Sequence, residues 1–168
     1  MIKFIPKYAF LFLLCLLIQV FLFNEMQISR YFNPSFYVLF IILLPFETPR
    51  WLLLLSAFGL GLGVDAFMNT PGINAAATVF AAFVRPGVLN LLSPRDGYEP
   101  GTTPRISFYG LSWFLKYALA ILLSHQLVLF FLEAFTFRYA FQTIAVALVN
   151  SLLSCFFIIL SQYIMFRR

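Results

Sequence analysis

The sequence predicts an all-α membrane protein, a compact polytopic bundle of six transmembrane helices. Hydrophobic residues make up 62% of the 168 residues and charged residues only 10%, whereas soluble domains carry about 25% charged residues. The mean hydropathy is +0.95. The apolar residues form long runs without strand-like alternation, and helices are the structure that such runs adopt in lipid.

The six predicted spans are separated by turn-forming residues. They lie at about 8–24, 34–47, 50–68, 73–91, 111–134 and 139–166. The second is short and contains Pro45, so a tilted or partly re-entrant segment is an alternative, and five spans is the competing count. The first has no small-residue cleavage site after it, so we expect it to remain in the protein.

Only one predicted connection is long, at about 93–110, so residues 1–168 are predicted to form a single integral membrane domain. The distribution of Lys and Arg favours an N-in/C-in orientation. In that orientation the inner side carries Lys3, Lys7, Arg50, Arg95, Arg105, Arg167 and Arg168, and the outer side carries Arg30 and Arg138. This orientation requires an even number of spans.

Asp65 and Arg85 are charged residues within predicted spans. Asp65 lies roughly 21 Å from the inner end of its helix, near the outer boundary. Three interpretations remain open: a helix end that reaches water, an inward-facing structural hydrogen bond, or a proton or ion relay. The depths of Asp65 and Arg85 differ by around 10 Å, which argues against a simple pair. We expect Arg85 to reach towards the cytoplasmic face, with Pro86-Gly87 breaking the helix just after it.

Small residues predict close packing between the third and fourth spans. Gly59 and Gly63 form a GxxxG pattern, and the fourth span begins with an alanine-rich stretch at Ala75. Small residues allow helix backbones in lipid to approach closely. The sequence therefore predicts a tight hairpin in which 59–63 packs on 75–82.

Patterns that carry catalysis are missing from the sequence. There is no paired nucleophile and base and no phosphate-binding glycine loop, and His125 has no second ligand at metal-binding spacing. We expect no enzyme activity and no cofactor or metal. The net charge of +5 is scattered rather than gathered in a stripe, which argues against nucleic-acid binding. Arg95 and Asp96 lie in a turn-rich inner loop that a partner could recognise.

The segment "GLGVDAFMNTPGINAAATVFAAFVRP" resembles the central signature of the rod shape-determining protein MreD family. On this match Gly63, Asp65, Gly72, Ala75 and Arg85 are signature positions. The segments "LLPFETPRWLLLL" and "LLSPRDGYEPGTTPRISFYG" resemble the versions found in Bacteroidota. The length and the six-span pattern are also similar to that family along nearly the whole chain.

The resemblance implies a non-enzymatic scaffold of the cell-elongation (rod) complex, a multi-pass protein of the bacterial inner membrane that helps maintain cell shape. Its expected direct partner is MreC. MreB, RodA and a penicillin-binding transpeptidase for peptidoglycan synthesis are expected in the same complex. The MreD family also resembles the membrane substrate-binding subunits of energy-coupling factor vitamin transporters, and such a subunit is the alternative function.

Overall fold

The structure is a computed structural model that describes residues 5–23, 33–99 and 101–165. The helices are α1 (Ile5–Ile18), α2 (Val38–Leu43), α3 (Arg50–Met68), α4 (Ile73–Leu91), α5 (Ile106–Tyr109), α6 (Leu111–Ala134) and α7 (Ala140–Met165). A π-helical turn, Gln19–Phe23, continues α1. This part of the chain contains no strand, so the all-α prediction is confirmed. The predicted topology residues Lys3, Arg30, Arg167 and Arg168 lie outside the described residues.

Four helices of the described chain are long and apolar enough to cross a membrane. They cover Pro6–Phe23, Arg50–Met68, Leu111–Ala134 and Ala140–Ile164. Helix α4 has the same length as α3 but carries three strongly polar residues, Asn74, Arg85 and Asn90. The membrane character of the chain is therefore supported, whereas the count of six spans is not confirmed.

The second predicted span, 34–47, differs most from the structure. Only six residues of it are helical, as α2, which is about 9 Å of helix and too short to cross a membrane by itself. Every residue from 34 to 44 is nevertheless buried. This part of the chain lies inside the bundle, covered by the longer helices.

Helices α3 and α4 form the predicted hairpin, but a different glycine makes the contact. A Cβ atom on Gly61 would lie 2.4 Å from Ala75 Cα, so the two backbones touch there. Gly59 and Gly63 instead face α1, where a Cβ atom would lie 4.0 Å from Phe12 and 3.0 Å from Leu16. The prediction that 59–63 packs on 75–82 is confirmed through Gly61, whereas the assignment of this contact to Gly59 and Gly63 is wrong, because these two residues point away from Gly61 around the helix.

The predicted break at Pro86-Gly87 is also wrong, since α4 continues through Pro86 to Leu91. A proline inside a helix costs about 3 kcal/mol. Packing of α4 between α3 and α6 outweighs this local cost. Helix α4 therefore keeps Arg85 on a continuous helix rather than at a helix end.

The long connection 93–110 folds back on the bundle end at which α4 finishes and α6 begins, which we call the loop end. The rings of Phe46 and Tyr98 stack with centroids 4.2 Å apart, and Trp113 contacts both. Tyr98 Oη donates to the carbonyl of Leu89 at 2.7 Å. Burial raises the pKa of Tyr98 to about 12, so its hydroxyl keeps its proton at neutral pH. Arg95 and Asp96 remain exposed at the outside of this loop.

Candidate functional site

The polar interior of the bundle is built around residues 33–45, which we call the inner segment. Its first residues are not helical, so their amides need partners from elsewhere. Gln19, in the π-helical turn after α1, supplies several of these partners. Its Oε1 accepts from Phe36 N at 2.9 Å and from Tyr37 N at 3.3 Å, and its Nε2 donates to the carbonyl of Pro34 at 3.2 Å.

Side chains of α6 and α7 bind the same stretch from the other side. Asn150 Oδ1 accepts from Asn33 N at 2.7 Å, and Ser154 Oγ accepts from Ser35 N at 2.9 Å. Gln126 Nε2 donates to Ser35 Oγ at 3.1 Å. Non-helical backbone at membrane depth is tolerated only where protein groups or cavity water satisfy it. These helices therefore provide the hydrogen bonds that the inner segment cannot make within itself.

Arg85 binds the opposite end of the inner segment. Its side chain is 1% exposed. Its Nη2 donates to the carbonyl of Leu44 and, at 3.4 Å, to that of Pro45, while its Nε donates to Tyr117 Oη at 2.8 Å. Tyr117 in turn donates to the carbonyl of Ile42 at 3.1 Å. Arg85 therefore does not reach an exposed surface as expected, because the carbonyls at the end of α2 lack intrahelical donors and the guanidinium satisfies them inside the bundle.

Asp65 occupies the bundle end at which the α3–α4 turn lies, which we call the turn end. Its side chain is 4% exposed. Its carboxylate accepts from Asn74 N at 3.0 Å and from Ala75 N at 2.9 Å, the second and third residues of α4. Thr70 Oγ1 also donates to it, at 2.5 Å. Asp65 thus caps α4 from the neighbouring helix, which agrees with the inward-facing hydrogen bond rather than the interpretation that placed it in water.

A chain of hydrogen bonds leads from Asp65 into the bundle. Asn74 Nδ2 donates to Asp65 at 3.1 Å, so the amide oxygen of Asn74 is free to accept from Tyr37 Oη at 3.0 Å. Tyr37 has a single proton, so His125 Nε2, at 2.8 Å, must be the donor of the next bond. His125 Nδ1 then carries a lone pair, and it has no partner among the described residues. Proton transfer along these hydrogen bonds would have to pass the amide of Asn74, which does not take up or release protons near neutral pH.

The structure brings together only some of the residues that the sequence singled out. Asp65, Gly72 and Ala75 meet at the turn end, where Gly72 adopts a positive φ of 80° directly before α4. Arg85 lies at the loop end and binds different groups, and no hydrogen bond or ion pair joins it to Asp65. Tyr37 and Tyr117 were missed by the sequence analysis. The available signal was a phenol within an otherwise apolar run, where its hydroxyl must find a buried partner.

Outside the interior, α3 and α4 form an apolar groove of about 570 Å³, which we call the α3–α4 groove. Its lining combines large side chains of α3 and α4 with small residues near the turn end. The large residues include Leu54, Phe58, Leu62, Phe80 and Phe83, and the small ones are Gly72, Ala75 and Ala76. The groove has the shape and the apolar surface of a contact for a helix in lipid.

Comparisons of the chain with models of protein families, with curated proteins and with solved structures found no match. Within residues 5–23, 33–99 and 101–165 there is no group of three His, Cys, Asp or Glu side chains placed to hold a metal ion. The functional argument therefore depends on the chain's own residues and geometry.

Proposed function

We propose that this protein is a non-enzymatic membrane scaffold of the bacterial cell-elongation complex, located in the cytoplasmic membrane and associated directly with MreC. MreB, RodA and a penicillin-binding transpeptidase would belong to the same complex. One observation carries the proposal: the buried polar side chains bind the backbone of the same chain, as Gln19 and Arg85 do for the inner segment. Because these polar side chains are engaged within the protein, we place the binding function on the membrane-facing surface.

The proposal includes six membrane crossings with both termini in the cytoplasm. The inner segment would form the second half of the second crossing, since α2 ends beside Arg85 and Tyr117 at the loop end. The loop end would face the cytoplasm, with Arg95 and Asp96 exposed there to partners. The turn end, with Asp65, would face outwards.

We further propose the α3–α4 groove as the place where the single membrane-spanning helix of MreC binds. The groove is lined by apolar residues, and the small residues among them are Gly72, Ala75 and the exposed Ala76. In lipid, where helices gain little from hydrophobic burial, close approach over such small residues is a main source of association. Gly59 and Gly63, which face α1, are not part of this surface.

A substrate-binding subunit of a vitamin or small-molecule transporter is the second candidate, and one observation favours it. Transporters often bind their substrates at short helices that end within the membrane, and α2 is such a helix. Here, however, Gln19 occupies the amides at the start of α2 and Arg85 the carbonyls at its end. A substrate would have to displace these side chains, so the scaffold is the better supported function.

The test is affinity purification of the tagged full chain in mild detergent, followed by mass spectrometry of bound proteins and of extracted small molecules. If the protein is a scaffold, we expect MreC at a fixed ratio to the tagged protein. RodA and the penicillin-binding transpeptidase should be recovered at lower yield. A tagged six-span protein of the same membrane serves as the control for non-specific recovery.

Recovery of a vitamin together with an ATPase module, and without MreC, would overturn the proposal in favour of the transporter. Recovery of neither MreC nor a synthase, from cells in which both are expressed, would also contradict it. Labelling of a cysteine placed at Arg95 from outside the cell would overturn the proposed orientation separately.

A further inference from the structure

Arg50 lies at the first position of α3, on the side of the helix that forms the α3–α4 groove. Residues 50, 54, 58 and 62 are spaced by four, so Arg50 precedes Leu54, Phe58 and Leu62 along one stripe of α3. Its side chain is exposed. Within the described chain it makes no side-chain hydrogen bond or ion pair. This stripe therefore continues, past the lining residue Leu54, to a cation at the loop end that forms no ion pair within the described chain.

On α4, the other side of the groove, the residues level with Arg50 are less apolar than those that line the groove. Gly61 contacts Ala75, and the two helices are antiparallel, so counting along both helices places Arg50 level with residues 86 and 87. A Cβ atom on Gly87 would meet nothing within 4 Å, so the surface beside it is open. Asn90, one turn further along α4, is exposed. Helical spacing thus places Arg50 and Asn90 at the loop end of the groove, one on each side, just past the residues that line it.

We propose that the α3–α4 groove binds a single membrane-spanning helix that carries an Asp or Glu at its cytoplasmic end, and that this carboxylate pairs with Arg50. The inference rests on the proposed function and specifies the chemistry of the partner helix. The exposed small residue Ala76 lets the backbone of that helix approach, and the carboxylate sets its depth and direction. A basic residue at the same level of the partner would repel Arg50.

The charge also argues against a second copy of this chain in the groove. Copies in one membrane share their orientation, and a two-fold axis along the membrane normal brings equivalent residues to the same depth. A dimer through this groove would therefore place Arg50 of one copy near Arg50 of the other. Like charges at an interface disfavour the complex. A partner with the opposite charge fits the groove better than self-association.

The test uses the full chain in cells with the photo-crosslinking residue p-benzoylphenylalanine at one position. Phe83 is 70% exposed and lines the groove, while Phe156 is 60% exposed and lies on α7, away from it. We expect Phe83→p-benzoylphenylalanine to form an adduct with the single-span partner proposed above, and Phe156→p-benzoylphenylalanine to form none.

The second part of the test adds charge reversal. Arg50→Glu should lower the adduct yield at Phe83 by about fivefold or more, because it replaces an attraction with a repulsion. Arg95→Glu makes the same charge change on an exposed loop residue and should leave the yield unchanged. Changing the acidic residue of the partner helix to Lys should restore the adduct with Arg50→Glu.

The outcomes separate this inference from the proposed function. If MreC co-purifies but crosslinks at Phe156 and not at Phe83, the scaffold stands and the groove assignment is wrong. Adducts at Phe83 with only lipid or with a second copy of the chain also overturn the inference. If MreC does not bind at all but another single-span protein gives the charge-dependent adduct, the inference is supported and the named scaffold function fails.

Discussion

The two buried charges of this protein, Asp65 at the turn end and Arg85 at the loop end, are satisfied in different ways. Asp65 accepts hydrogen bonds from residues five to ten positions away, all within its own hairpin. Arg85 donates to groups 32 to 41 positions away, on α6 and on the inner segment. Asp65 therefore stabilises a local turn, whereas Arg85 joins distant parts of the chain.

Because of this difference, we expect substitutions of Asp65 and of Arg85 to lower the stability of the fold by different amounts. Loss of the Asp65 carboxylate affects the start of α4, which has other contacts to hold it. Loss of the Arg85 guanidinium leaves the Leu44 carbonyl and Tyr117 Oη without the donor they share, whereas the Pro45 carbonyl still accepts from Thr48. We expect the larger cost at Arg85 although both side chains are almost fully buried.

Arg85→Met should be the most damaging single change. Each buried acceptor left unsatisfied costs about 1–3 kcal/mol, so we expect a loss of about 3–5 kcal/mol in the free energy of unfolding. Cys15 and Cys155 are both buried. A fluorogenic thiol dye therefore reports unfolding of the purified protein during heating. A midpoint close to that of the natural chain would show that Arg85 does not hold the inner segment.

Arg85→Lys is the matched control for charge. Lysine keeps the positive charge but lacks the planar fork that serves Tyr117 and the Leu44 carbonyl together. We expect an intermediate midpoint, between those of the natural chain and Arg85→Met. A full loss with lysine would indicate that geometry alone, and not the charge, matters at this position.

Gly61→Ala should have the next largest effect, because it tests the backbone contact that aligns the Asp65 turn. The new Cβ atom would lie 2.4 Å from Ala75 Cα and 2.8 Å from Ala75 N, and backbone atoms cannot move aside as a side chain can. We expect a loss of about 2–3 kcal/mol. Gly59→Ala, 4.0 Å from Phe12, is the control and should change the midpoint little. Equal effects at both positions would contradict the observed hairpin contact.

Asp65→Asn should have the smallest effect of the three. The amide oxygen can still accept from Thr70 and from Asn74, and only the bond from Ala75 N loses its acceptor. Loss of a capping interaction costs about 1–2 kcal/mol. For a chain of this size that corresponds to a fall of several degrees in the thermal midpoint. A larger loss than in Arg85→Met would reverse the comparison between the two ends.

The same comparison explains what sequence analysis could and could not predict. Helices α3, α4 and α6 were predicted with the bounds that the structure shows, since each is a long apolar run that ends at turn residues. The inward-facing role of Asp65 was among the interpretations considered, because a charge within a span is costly unless it finds a hydrogen-bond donor.

The role of Arg85 was beyond such reasoning, because it depends on Tyr117 and the Leu44 carbonyl, which lie 32 and 41 positions away. A partly re-entrant segment was among the alternatives for 34–47, but the side chains that satisfy its backbone, Gln19, Asn150 and Ser154, could not be identified. Local hydropathy treats a buried irregular segment as another helix, because it cannot show that distant side chains will satisfy its backbone. The choice of Gly61 rather than Gly59 and Gly63 likewise depends on the rotation of α3 against α4.

A double-mutant cycle of Asp65→Asn and Arg85→Met, with thermal unfolding of the purified protein as the readout, asks whether the two buried charges stabilise the fold separately, since each change removes one charge. The two residues share no partner, so we predict that the free-energy losses add to within about 0.5 kcal/mol. A coupling energy of about 1 kcal/mol or more would contradict this account, because it would mean that the two buried charges stabilise the fold as a pair.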